Sequence, residues 1–82
     1  MATKVGKITH YYDHIGVAIV KLSKTLKVGD KIKISGHNNE FIQNVNSLQF
    51  DHKSIKSAKT GSSVGLKVDN PVKDNDIVFK MD

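Results

Sequence analysis

Apolar side chains along this chain mostly recur at every second position. In Lys31-Ile32-Lys33-Ile34 and in Val64-Gly65-Leu66-Lys67-Val68 they alternate with polar or small residues, which is the period of a strand with one buried face. The clearest stretch is Leu26-Lys27-Val28-Gly29-Asp30-Lys31-Ile32-Lys33-Ile34-Ser35-Gly36. Gly29-Asp30 predicts a tight turn, because glycine tolerates positive φ and aspartate can bond nearby backbone. The strand follows, and Gly36 opens the next turn.

Taken in order, the pattern predicts a first strand over residues 5–12 and a turn at Asp13-His14. Residues 15–22 are the most apolar run, with Ile15, Val17 and Ile19 on one face and Gly16, Ala18, Val20 and Leu22 on the other. The run is short and rich in β-branched residues, which favours strand over helix. Its small residues suggest close approach of another backbone. Residues 41–50 read as one long strand. Phe41, Gln43 and Val45 share a face, whereas Leu48 and Phe50 fall on the other, so a bulge near Asn46-Ser47 is expected to turn the apolar side chains inward. Between residues 51 and 61 the period changes. Ile55 and Ala58 are three apart, with Lys53, Lys56 and Lys59 around them. That spacing predicts one short helical turn near residues 53–59, or an irregular loop pinned by Ile55 and Ala58, ended by Gly61. Strands at 64–68 and 77–81 complete the pattern, set off by turns at Asp69-Asn70-Pro71 and Lys73-Asp74-Asn75-Asp76. About six strands at roughly ten-residue spacing argue an all-β fold. A six-stranded closed barrel is expected, because closure leaves no edges.

Composition narrows the class. The 82 residues allow one domain with a small core, so a single complete domain over 1–82 is expected. Apolar residues are 38% and charged residues 26%, a folded rather than a disordered balance. No run approaches the roughly 18 apolar residues of a membrane span, and no apolar signal region follows Met1-Ala2-Thr3-Lys4. A cytoplasmic protein without a membrane partner is therefore expected. Zero cysteines agree with that compartment and exclude disulfides, thiolate zinc sites and a cysteine nucleophile. Thirteen lysines, without arginine, set against eight acidic residues give a net charge of +5. Such a balance suits polyanions such as RNA or DNA. Without arginine there is no bidentate fork for phosphate or guanine, and the same lysines also read as a solvated surface.

Three segments carry a family resemblance. Leu26 to Gly36 resembles the G-x-[LI]-K-x-G-D-x-[VI]-x-[IV]-x-G hairpin in the second domain of translational GTPases such as elongation factor Tu. Val45-Asn46-Ser47-Leu48 is similar to that domain's V-x-S-[IM] strand. Residues 55–66 are similar to its [VI]-x-x-A-x-x-G-x-x-V-G-[LI] segment. The three lie in order and together span most of the chain. A closer resemblance, carried by Gly6-Lys7-Ile8-Thr9-His10-Tyr11-Tyr12 and Ile15-Gly16-Val17-Ala18, is to small stand-alone translation elongation factor-like proteins and to the C-terminal barrel of collagenase-like peptidase-family proteins. The resemblance implies a six-stranded closed Greek-key β-barrel. In the full-length factors this barrel helps hold the aminoacyl end of tRNA and touches ribosomal RNA. The chain departs from them in lacking any G-x-x-x-x-G-K-[ST], so nucleotide binding and hydrolysis are not expected, and Lys24 stands where those factors usually have glycine.

The candidate RNA-binding residues are Lys31 and Lys33 on the outward face of the central strand, His52 with Lys53, Lys56 and Lys59, and Tyr11 and Tyr12 near a strand end. A tyrosine beside lysines can stack a base over a phosphate groove. tRNA or ribosomal RNA is the partner expected from charge and resemblance. The other reading is a protein-interaction module that docks on an enzyme lacking its own barrel, such as a collagenase-like peptidase homologue. The histidines His10, His14, His37 and His52 do not argue for metal. The i, i+4 pair His10 and His14 flanks a hairpin turn rather than lying on a helix. Asp69, Asp74 and Asp76 with Asn70 and Asn75 lack the order of a calcium loop and fit turn chemistry. No G-x-S-x-G or similar nucleophile motif is present. A non-enzymatic domain without cofactor or metal is expected.

Overall fold

The computed structural model describes residues 2–36, 40–51 and 53–81. These residues form strands β1 (Ala2–Tyr12), β2 (Val17–Leu22), β3 (Leu26–Lys27), β4 (Lys31–Ser35), β5 (Glu40–Asn44), β6 (Leu48–Phe50), β7 (Lys53–Ile55), β8 (Ser57–Ala58), β9 (Ser63–Lys67) and β10 (Ile77–Met81). Eight of them make one antiparallel sheet in the order β5-β4-β10-β1-β2-β9-β6-β7, while β3 and β8 pair separately. No helix long and apolar enough to cross a membrane is present among the described residues.

β1 is the hub, because it pairs β10 along one edge and β2 along the other. The register shifts between Lys4 and Gly6 against β10, and between Ile8 and His10 against β2. An extra residue at each point bends and twists the strand, which curls the sheet around its buried face. Ile8, Leu26, Ile32, Ile34, Leu48 and Leu66 fill that face with almost no exposure. Each such burial contributes about 1.5–3 kcal/mol.

The all-β expectation stands, but the closed six-stranded barrel does not. β5 and β7 lie at opposite ends of the sheet order and no ladder joins them. The cause is at Val45-Asn46-Ser47, where the predicted strand 41–50 breaks into β5 and β6 instead of bulging. Val45 and Leu48 both turn inward as the pattern required, but on different flanks of the sheet, and Phe50 stays 52% exposed. The gap is crossed by other means. Val45 exchanges backbone hydrogen bonds with Gly29 and Asp30, 2.8 Å each, and Val28 N–H donates to the Lys56 carbonyl at 2.8 Å.

The helical turn near residues 53–59 is also corrected. β6 and β7 form a hairpin, Phe50 opposite Lys53, with Asp51 at φ 53° in the turn. The chain bends at Lys56, and β8 follows. That bend explains how Ile55 and Ala58, three apart, both point toward the core: Ile55 pairs with Leu48, and Ala58 pairs with Leu26. The Gly29-Asp30 turn forms as predicted, with Gly29 at φ 98° and the Asp30 carboxylate accepting from Lys27 N–H at 2.9 Å.

Candidate docking surface

A half-solvated antiparallel strand normally turns its apolar side chains in and its polar ones out. β10 follows this rule only at Val78. Val78 and Lys80 face the buried side, and the Lys80 ammonium lies 3.8 Å from Asp30 at the rim. Ile77, Phe79 and Met81 are therefore left half-buried on the outer face.

Strand register carries this outer face across four strands. Ile42, Lys33, Phe79 and Lys4 are successive Cα partners on β5, β4, β10 and β1. The neighbouring row runs Glu40, Ser35, Ile77, Lys7 and Lys21 across to β2. Ile42 is 51% exposed. Lys33 is committed locally, with its ammonium 2.7 Å from Glu40. The result is an apolar stripe along β10, separated from Ile42 by Lys33 and bordered on the β1 side by Lys4, Lys7 and Lys21, which make no ion pair among the described residues. These lysines also line a cleft of about 480 Å³. A patch of this kind on a sheet face suits a protein contact, with apolar anchors in the middle and charge at the rim.

The residues singled out from sequence are spread over several elements, and among the described residues no hydrogen bond or ring contact joins the lysines to Tyr11 or Tyr12. Lys31 and Lys33 lie on β4, near one end of the sheet order, and Lys53 lies on β7 at the other end. Lys56 and Lys59 are exposed on either side of β8. His52 and His37 lie outside the described residues. Tyr11 packs against the core, whereas Tyr12 is 47% exposed and meets the His10 ring edge-on at 4.3 Å. His14 lies 3.7 Å from Asp13 with both side chains open to solvent. Among the described residues no group of three or more His, Asp or Glu is placed to hold a metal ion. Sequence reasoning missed Lys4, Lys7, Lys21 and the outward side of β10. The alternation of Ile77, Phe79 and Met81 with Val78 and Lys80 was visible, but alternation alone does not say which face is inward.

No protein-family model matches the chain. Over 77 residues, 93% of the chain, it is 34% identical to an uncharacterized protease of Methanocaldococcus jannaschii, and the match covers 19% of that protein. The chain thus spans about a fifth of that relative's length. Its fold is similar to that of the C-terminal domain of a Geobacillus thermoleovorans U32 peptidase, with a TM-score of 0.91 at 19% identity over 98% of this chain and 93% of that one. The selenomethionine form of the same domain gives a TM-score of 0.86 at 20% identity over 92% and 95%. These likenesses lead to peptidases and not to a translation elongation factor or an RNA-binding protein. The elongation-factor and RNA-binding reading is therefore set aside, and the collagenase-like peptidase side of the resemblance is the one that remains. The chain is an all-β unit similar in sequence to a part of a protease and in fold to the C-terminal domain of a U32 peptidase.

Proposed function

We propose that this chain is a non-catalytic docking module that works against the catalytic part of a peptidase-like enzyme. The observation that carries the reading is the size of the match: the segment is about a fifth of the M. jannaschii protease, so most of that protein lies outside it. The outer face of β5, β4, β10 and β1 supplies a contact surface of suitable chemistry. Ile42, Ile77 and Phe79 exclude water, and the lysines at the edge set orientation. Chemistry belongs to the partner, and the module positions it.

The test uses the tagged full chain to capture partners from ribonuclease-treated extract of its own source. A homologue of U32 peptidases is expected among the captured proteins, and the purified pair should then bind in calorimetry. Purified chain alone should leave fluorescent casein uncut. Absence of any such enzyme, or loss of every partner on ribonuclease treatment, would overturn the reading.

A further inference from the structure

Lys7 and Lys21 face each other directly across β1 and β2. Like charges in that position destabilise a sheet unless something neutralises them. Neither has an ion-pair partner among the described residues, and the same holds for Lys4 three positions earlier on β1. All three line one cleft, whose floor includes the buried Gly6. A β-carbon at Gly6 would meet Val20 Cγ1 at 2.6 Å and the Lys21 carbonyl at 2.9 Å, so β1 and β2 come close beneath the lysines. Ser23 and Asn75 add polar groups at the border. Asp74 also borders the cleft but pairs with none of the lysines.

The residues beside the lysines select among anions. The register shift between Lys4 and Gly6 sets Lys4 and Lys7 opposite Phe79 and Ile77, two residues apart on β10, so the two lysines stand about 7 Å apart along the sheet. An ammonium is a point charge that serves carboxylate and phosphate alike, so the apolar neighbours of the lysines make the choice. Carboxylates spaced along an extended segment match such a row. The Cα partners of Lys4 and Lys7 on β10 are Phe79 and Ile77, so apolar side chains of the same segment would find apolar contacts beside each charge.

We infer that the cleft over the outer face of the paired β1 and β2 takes an extended acidic segment of a partner protein, its carboxylates on Lys4, Lys7 and Lys21 and its apolar side chains on the neighbouring Phe79 and Ile77. That the partner is a peptidase-like enzyme rests on the docking reading above; the cleft and its chemistry do not.

The test is an amide NMR titration of the full chain with a synthetic peptide of glutamate and leucine, its glutamine-for-glutamate counterpart, and tripolyphosphate. The glutamate peptide should shift residues 4–9, 21–23, 74–75, 77 and 79. Its affinity should fall at least fivefold in Lys7→Gln/Lys21→Gln, and the glutamine peptide should bind at least fivefold more weakly. Shifts spread equally over Lys53, Lys56 and Lys59, no saturable shift, or tighter binding of tripolyphosphate at the cleft would each overturn the inference. Capture of the enzyme by Lys7→Gln/Lys21→Gln at full yield would reject the cleft and leave docking standing. Peptide binding at the cleft without any captured enzyme would do the opposite.

Discussion

The Asp69 backbone N–H donates to Gln43 Oε1 at 2.8 Å, while Gln43 Nε2 donates to the Lys67 carbonyl at 2.8 Å. A side-chain amide offers one donor side and one acceptor side, as a peptide group does. Gln43, 5% exposed, therefore acts as a rung between β5 and the end of β9, which no ladder connects. Gln43→Leu keeps the volume and removes the rung, leaving two backbone groups without their partner. A loss of about 2–3 kcal/mol is expected in urea unfolding. A loss below about 0.5 kcal/mol would mean that water replaces the amide.

Two turns use one device. Lys27 N–H donates to Asp30 Oδ2, and Lys73 N–H donates to Asp76 Oδ2, both at 2.9 Å. Gly29 and Asp30 exchange backbone bonds with Val45, as Asn75 and Asp76 do with Ile8. Each turn then launches a strand, β4 or β10. Asn75 occupies the glycine position at φ 75°. Asn75→Gly should change stability by less than about 0.5 kcal/mol, and Asn75→Ala should lose about 1 kcal/mol. Thermal unfolding would resolve the difference, since about 1 kcal/mol moves the midpoint by roughly 4–8 °C in a domain of this size.

Two glycines are required for different reasons, and alanine should rank them. At Gly6 the added methyl meets Val20 and the Lys21 backbone, so Gly6→Ala should cost about 1–3 kcal/mol through overpacking. At Gly29 nothing lies within 4 Å, but φ is 98°. Gly29→Ala should cost about 1 kcal/mol from backbone strain alone. If Gly29→Ala proved the more damaging in chemical denaturation, crowding beneath the lysine cleft would not be the constraint at Gly6.

The docking face should separate binding from folding. Ile42→Glu sits on an exposed edge strand and should leave stability within about 0.5 kcal/mol. It should still reduce enzyme capture at least tenfold. Retained capture would move the contact to another face.

The Lys33–Glu40 pair is short but partly open to solvent, with side-chain exposures of 29% and 56%. A double-mutant cycle with Lys33→Met and Glu40→Gln should return a coupling of about 0.2–1 kcal/mol that declines with salt. A larger, salt-insensitive coupling would indicate a buried network in place of a surface pair.

Much of this fold was legible because strand period and turn chemistry are local. The alternation around Ile32 and Ile34, the apolar run through Val20 and Leu22, and the Gly29-Asp30 turn each follow from a few adjacent residues. What the tertiary structure decided is long-range. The break at Val45-Asn46-Ser47 sends β5 and β6 to opposite flanks, because Val45 finds backbone partners at Gly29 and Asp30 rather than continuing its own strand. The hairpin at Asp51 replaces a helical turn because Leu48 lies opposite Ile55 and can bury it. The inward face of β10 and the meeting of Lys7 with Lys21 depend on register against other strands. A two-residue period is the same for either face of a strand. Only packing against neighbours distant in the chain determines which side chains are buried and which are left to meet a partner.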